Sequence, residues 1–215
     1  MSVTNRVEKI SQELEKELAV LASSLEGTVS EGKISFASKT SDLPRIEFPV
    51  LKGTYGGMKV YVMFSPITDT QRAIAGRITS RASSGFDDYL KPWFQAYVYH
   101  ASPFRMWLTA EKGGKKSFLA RIMENIGLAP VEIEVGVPSL DDRYFFECQE
   151  NRQAARSFLK KTGIEEKLEA LGAFHLLRFD DSYLKLVYGE KDPGNYKAGE
   201  MLTRIRALAD VAGLL

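Results

Sequence analysis

Basic and aromatic side chains are concentrated in the middle of the chain, where they could bind a planar or anionic ligand. Arg72, Arg77 and Arg81 lie in a stretch that has no acidic residue between Asp69 and Asp87. Guanidinium groups and aromatic rings stack on planar ligands, including nucleic-acid bases. The alternatives are a solvated strand face, or arginines that pair with the nearby Asp87 and Asp88. The candidate ligand or partner face comprises Arg77, Arg81, Trp93, Tyr97, Tyr99, Arg105 and Trp107.

Three lysines at a predicted helix entrance form a second candidate, for an anion. Lys112, Lys115 and Lys116 flank a pair of glycines, and free backbone N–H groups at a helix start attract negative charge. The run does not match a nucleotide-binding phosphate loop. Thr109 stands where the first glycine of that motif belongs, and Lys116 stands where its hydroxyl residue belongs.

Side chains for metal or acid–base chemistry are sparse. The nitrogen and sulfur ligands are His100, His175 and Cys148, and no two are close in sequence, whereas zinc sites usually contain a closely spaced pair. Three aspartate pairs could hold a hard cation if they met at one cleft, but each lies at a predicted turn or strand entry, where Asp is favoured. We therefore expect no metal, no cofactor and no catalytic residue. The pairs are Asp87–Asp88, Asp141–Asp142 and Asp180–Asp181.

An amphipathic helix is the first element that could position these side chains. Its apolar residues recur at steps of three and four and end near Gly27. The stripe could pack on its own domain, or it could act as a coiled-coil seam for a homo-oligomer or a protein partner. Its members are Val3, Val7, Ile10, Leu14, Leu18, Leu21 and Leu25.

Apolar residues then alternate every second position, which predicts strands. Residues 71–84 are interpreted as one of them. The runs WFQAYVYH and FRMWLTAE, joined by Ala101-Ser102-Pro103, predict a β-hairpin. Either helices cover both of its faces, or the aromatic face meets a ligand or partner. One face would carry Phe94, Ala96 and Val98 opposite Phe104, Met106 and Leu108; the other would carry Trp93, Tyr97, Tyr99, Arg105 and Trp107.

The same plan recurs near the end of the chain. FHLLRFDD and YLKLVYGE predict a second hairpin that turns at Asp180-Asp181-Ser182, and an amphipathic C-terminal helix follows. The first hairpin is likewise followed by a helical stripe that stops at Gly127. Two hairpin-plus-helix units suggest a weak internal duplication. Between them, Asn151 is a helix N-cap candidate and Gly163 a stop.

These elements predict an α+β fold, in which an antiparallel β meander and hairpins pack with long N- and C-terminal amphipathic helices. Residues 1–27 would be the N-terminal helix and residues 28–215 a single α+β domain. If the duplication is real, that domain has halves at 28–127 and 128–215.

Composition narrows the class of protein. With 29 basic and 28 acidic side chains the 215-residue chain carries a formal charge of +1, which disfavours nucleic acid as a partner. A single cysteine permits no internal disulfide and fits a cytoplasmic location. No stretch approaches the length of a transmembrane helix, so we expect a soluble protein.

One stretch, VEIEVGVPSLDDRYFFECQENRQAARSFL, contains a short acidic strand, a Gly-x-Pro break, an Asp-containing strand entry, an aromatic strand and a helix ending in Leu. Together with the Gly53-x-Tyr55-x-Gly57 turn and the late LKLVYGE strand with its closing helix, this layout resembles an uncharacterised bacterial family of domain-of-unknown-function proteins. The resemblance implies an α+β fold and a cytoplasmic or membrane-proximal bacterial protein. It implies no activity, cofactor or catalytic residue.

We therefore expect a non-enzymatic binding or assembly module. The alternative is a small-molecule or anion-binding protein, or an enzyme, whose site lies on the aromatic and arginine face of the central sheet. Nucleic-acid binding ranks third.

Overall fold

The computed structural model describes residues 3–36, 44–65, 91–109, 131–190 and 192–215. Five helices lie within these ranges: α1 (Val3–Ser24), α2 (Pro138–Arg143), α3 (Arg152–Leu159), α4 (Ile164–Ala170) and α5 (Ala198–Ala212). The strands of the described ranges are β1 (Thr28–Ser30), β2 (Lys33–Phe36), β3 (Pro44–Glu47), β4 (Val50–Tyr55), β5 (Met58–Ser65), β6 (Trp93–Val98), β7 (Arg105–Thr109), β8 (Val131–Glu132), β9 (Phe145–Glu150), β10 (Leu176–Asp180) and β11 (Tyr183–Tyr188).

Nine of these strands form one sheet. Their order across the sheet is β1-β4-β5-β6-β11-β10-β7-β9-β8, and each neighbouring pair is antiparallel. Strands β2 and β3 pair with each other in a separate ribbon. The predicted α+β fold, in which an antiparallel sheet packs with N- and C-terminal helices, is confirmed.

The predicted hairpin between residues 93 and 108 is wrong. Strands β6 and β7 are separated by β11 and β10, so that Val98 faces Leu184 and Met106 faces Phe179. The connection from β6 to β7 passes the turn of the inserted hairpin, where the Ser102 N–H donates to the Asp181 carbonyl at 3.3 Å. Alternation fixes which face a side chain occupies, but it does not select the partner strand.

The second predicted hairpin is confirmed. In β10 and β11, Leu177 pairs with Leu186 and Phe179 pairs with Leu184, and the turn falls after Asp180. These four side chains are buried on the same side of the sheet as the apolar residues of β6 and β7. The insertion therefore places the hairpin at the centre of the sheet, where its side chains decide the character of both faces.

Helix α1 packs on its own sheet and on α5. The stripe residues Val7, Leu14 and Leu18 are at most 1% exposed, whereas Val20, on the outer side of the helix, is 63% exposed. The Glu17 carboxylate accepts a hydrogen bond from the Ala198 N–H at 2.8 Å, at the start of α5. The apolar stripe thus belongs to the core. Association with a partner through α1 is not tested by these contacts and stays a prediction.

The N-termini of α3 and α4 differ in how they are capped. Asn151 caps α3 as predicted, accepting from the Ala154 N–H at 3.4 Å. Helix α4 begins after Gly163, which adopts φ +83° and provides no side-chain cap. Within the described ranges, no helix has the length and apolar character needed to cross a membrane.

Some predictions concern residues outside the described ranges. These are the strand in residues 71–84, the helix ending at Gly127, the aspartates Asp87 and Asp88, the arginines Arg72, Arg77 and Arg81, and the lysines Lys112, Lys115 and Lys116. The division at residue 27, and the halves at 28–127 and 128–215, also stay predictions.

Candidate functional site

The two faces of the sheet differ in composition. On the helix face the side chains are apolar and buried, as at Ala96, Leu108 and Leu186. On the other face the described helices do not contribute to the packing of the central strands, and aromatic and basic side chains predominate. We call this second surface the aromatic face; its central residues, all half-buried, are Tyr61, Tyr97, Trp107, Arg178, Tyr183 and Lys185.

A single line of paired residues crosses the aromatic face from β4 to β7. Each member lies directly opposite the next in the antiparallel register, which brings neighbouring side chains on one face into contact. We call this line the cross-strand row; in order it comprises Lys52, Tyr61, Tyr97, Lys185, Arg178 and Trp107.

Cations and rings are in contact along the row. The Lys52 ammonium lies 6.0 Å from the centre of the Tyr61 ring, and the two rings Tyr61 and Tyr97 meet edge to face at 5.8 Å. The Lys185 ammonium lies 5.0 Å from the Tyr97 centre, and the Arg178 guanidinium lies 5.4 Å from the Trp107 centre. Such contacts hold a cation against a ring and stabilise both in one arrangement.

The two central cations are adjacent to each other. Lys185 and Arg178 pair directly across β11 and β10, and like charges in this position repel. Burial, together with the positive charge of Arg178, lowers the pKa of Lys185 to about 8. Burial also raises the pKa of Tyr97 to about 12, so its hydroxyl stays protonated at neutral pH.

The rim of the aromatic face near the β10–β11 turn is an ion-pair cluster. Arg105 donates from Nε to Asp181 at 2.8 Å and lies 3.4 Å from Glu150 and 3.6 Å from Asp180. The Arg105 guanidinium lowers the pKa of Asp181. Asp180 also accepts a hydrogen bond from Arg178. The charge of Arg105 is therefore matched by acids of its own chain.

The opposite end of the aromatic face is closed. Trp93 is 6% exposed and stacks on His175 with 4.3 Å between ring centres. Gln95 is 3% exposed, accepts from the Tyr97 hydroxyl at 3.0 Å and donates to Ser65. These contacts fix the orientation of the Tyr97 ring. Trp93 itself is part of the packing rather than a surface for a ligand.

The structure brings together part of the predicted site. Tyr97, Arg105 and Trp107 lie on the aromatic face, and Tyr99 beside them is 45% exposed and 6.3 Å from Tyr183. The predicted members Arg77 and Arg81 lie outside the described ranges. Sequence reasoning missed Tyr61, Arg178, Tyr183 and Lys185. The alternation in LLRFD and YLKLVY gave the face of Arg178, Tyr183 and Lys185, but their place between β6 and β7 depends on the insertion. Tyr61 lies in β5, on the other side of β6.

Cys148 and Asp141, which could take part in chemistry elsewhere, form local structural contacts here. Cys148 is buried, burial raises the pKa of its thiol, and its Sγ donates to the Glu150 carbonyl at 3.1 Å. The Asp141 carboxylate accepts three backbone N–H groups, from residues 135, 136 and 137, at 2.9, 2.8 and 3.2 Å. These contacts are those of a buried thiol and of a turn-forming aspartate.

Comparison with known proteins gives one solved structure as a neighbour. No protein-family model and no curated protein sequence matches the chain. The fold is similar to the crystal structure of the mycobacterial trehalose monomycolate transport factor A, TtfA, with a TM-score of 0.55 over 94% of each chain. Sequence identity between the two is 10%. At this identity the two chains share the fold, and the likeness assigns no function.

Proposed function

We propose that this protein is a non-enzymatic binding module whose aromatic face holds a ligand. The observation that carries the proposal is the cross-strand row, in which rings and cations are held in contact with one another on the side of the sheet away from the described helices. Rings fixed in place on a rigid sheet bind a planar or apolar surface at little entropic cost, because few rotamers remain to be ordered.

Two further observations support this function. Cys148 and Asp141, which could take part in chemistry, instead serve the packing and the turns of the chain. The structural neighbour is a mycobacterial trehalose monomycolate transport factor, and a chain of the same fold fits a binding role. We retain the cytoplasmic location and the likeness to an uncharacterised bacterial family as parts of this proposal.

An uncharged aromatic dye, N-phenyl-1-naphthylamine, tests the proposal. Its fluorescence rises on transfer to an apolar site, and energy transfer from tryptophan reports its distance. The chain has two tryptophans, so Trp93→Phe leaves Trp107 as the donor on the aromatic face. We expect saturable binding at one site with transfer from Trp107.

Substitutions locate the dye. Tyr97→Leu removes a ring from the middle of the cross-strand row and should weaken dye binding about tenfold, since one stacked ring contributes roughly 1 to 3 kcal/mol. Tyr55→Leu is the matched control, because Tyr55 is also half-buried and also lies under a cation, Arg206 at 5.8 Å. Tyr55 packs against the core on the helix face. Equal loss in both variants, or no saturable binding, overturns the proposed function.

A further inference from the structure

Arg178 and Lys185 form a pair of like charges at the centre of the aromatic face. They are directly opposed in the register, and both are half-buried, so water screens their repulsion less than it would on an open surface. A sheet rarely places two cations in this way without a compensating negative charge, because the arrangement costs stability. The chain supplies that compensation in part.

The carboxylate in contact with the pair also interacts with a second arginine. Asp180 accepts from one terminal nitrogen of Arg178, and it also lies 3.6 Å from Arg105 at the rim. Among the described residues, no carboxylate lies within ion-pair distance of the Lys185 ammonium. Arg178 therefore shares its acid with Arg105, and Lys185 has no described acid beside it.

One hydrogen-bond donor of this pair also lacks an acceptor. The Nε of Arg178 is buried and, within the described ranges, has no hydrogen-bond acceptor. A buried donor without an acceptor is unfavourable by roughly 1 to 3 kcal/mol, so an acceptor supplied by a ligand at this place would be stabilising. The Lys185 ammonium, which rests against the Tyr97 ring, adds donors on the neighbouring strand.

Aromatic rings flank the pair. The Tyr97 ring lies beside Lys185, with Tyr183 edge-on to it at 5.5 Å, and Trp107 lies beside Arg178. A ligand group bound to the two cations would be extended over one ring or the other. The arrangement suits a molecule with an anionic head and a planar or apolar body.

We propose that the ligand of the aromatic face carries an anionic group, a carboxylate, phosphate or sulfonate, that binds to Arg178 and Lys185. This inference rests on the proposed function, since it names the chemical class of the ligand for the same surface. The group accepts from the Arg178 guanidinium and the Lys185 ammonium, and it neutralises a repulsion that the unliganded protein retains.

Two dyes of nearly the same body test the charge requirement. 1-Anilinonaphthalene-8-sulfonate carries a sulfonate that N-phenyl-1-naphthylamine lacks, so the ratio of their dissociation constants isolates the head group. We expect the sulfonate to bind about tenfold tighter to the unmodified protein, as for charge-assisted hydrogen bonds. Lys185→Met and Arg178→Met should each abolish most of that preference.

A fold measurement and a third substitution provide the controls. A far-UV circular-dichroism spectrum like that of the unmodified protein, with a cooperative thermal transition, should establish that Lys185→Met and Arg178→Met remain folded. Lys59→Met removes a charge of the same kind from the same side of the sheet, at an exposed position away from the pair, and should leave the preference intact. Inorganic phosphate should displace the sulfonate dye more than sodium chloride of equal ionic strength does.

The outcomes separate this inference from the function on which it rests. If the neutral dye binds at Tyr97 but the sulfonate has no advantage, or keeps its advantage in Lys185→Met and Arg178→Met, the anion site is overturned and the binding function stands. If neither dye binds to the aromatic face, both proposals fail. Displacement by phosphate and by chloride alike shows general screening and also counts against a built site.

Discussion

The ammonium of Lys185 lies 5.0 Å from the centre of the Tyr97 ring, while its partner across the strand pair is the cation Arg178. One neighbour favours the positive charge of the lysine and the other opposes it. Burial, which is the larger cause, and the charge of Arg178 lower the pKa of Lys185 to about 8. Lys185 is thus a position where the fold has retained a charge at some loss of stability.

This lowered pKa predicts a pH-dependent effect of Lys185→Met. In the folded chain Lys185 loses its proton near pH 8, whereas in the unfolded chain it does so near its ordinary value of 10.5. Between these values the unfolded state binds more protons, so the unfolding free energy of the unmodified protein rises with pH relative to the variant. We expect the variant to be more stable at pH 7 by about 1 kcal/mol, allowing for solvent screening.

Urea denaturation at pH 7, 8, 9 and 10 measures this difference. The advantage of Lys185→Met should shrink steadily above pH 8. Lys59→Met, at an exposed position on the same side of the sheet, is the control for the loss of one lysine. The raised pKa of Tyr97 affects the parent and both variants, so it largely cancels in the comparison. A constant difference across the range would rule out a depressed pKa at Lys185.

The contact between the first and last helices gives a second prediction. Glu17 of α1 accepts from the Ala198 N–H at 2.8 Å and from the Lys197 ammonium at 3.3 Å, at the N-terminus of α5. A carboxylate there satisfies a free backbone donor and opposes the positive end of the helix dipole. Glu17→Ala should lower the unfolding free energy by about 1 kcal/mol, measured by urea denaturation. Glu8→Ala, at an exposed position of the same helix, should change it little; equal effects would refute the capping role.

The burial of the α1 stripe gives a third prediction. Leu18 is fully buried, so Leu18→Ala leaves a cavity between the helix and the sheet and should destabilise the fold by about 2 to 5 kcal/mol. Val20, two residues away and 63% exposed, is the matched control, and Val20→Ala should alter stability by less than about 0.5 kcal/mol. Thermal denaturation followed by circular dichroism distinguishes the two. Similar losses would mean that α1 is not packed as described.

The sequence alone predicts the parts of this fold that depend on periodicity. The three- and four-residue spacing of Leu14, Leu18 and Leu21 gave α1 and its buried side, and alternation gave the faces of β6, β7, β10 and β11. Helix α2 was missed because six residues show too little periodicity to indicate a helix. Its signals were present, since Pro138 opens the helix and Asp141 accepts from the backbone N–H groups before it.

The candidate site was predicted in part for a related reason. Tyr97 and Trp107 were assigned to one face from their own strands, and the structure places them there. Between them, however, lie Lys185 and Arg178, which belong to a hairpin some seventy residues later in the chain. Strand partnership is set by contacts distant in sequence, which a local pattern does not encode.

The insertion of the β10–β11 hairpin gives the fourth prediction, which concerns the halves suggested by the sequence. A fragment of residues 28–127 contains β6 and β7 but lacks the two strands that lie between them. Its Val98 and Met106 would lose the partners Leu184 and Phe179, which leaves backbone donors unpaired and apolar surface exposed.

We expect this fragment, and likewise residues 128–215, to lack a cooperative thermal transition and dispersed amide resonances. If the two fragments reassemble the sheet, mixing them should restore the dispersed amide resonances. A cooperative transition in either fragment alone would show that the halves are independent units and that the inserted hairpin is not required to hold β6 and β7.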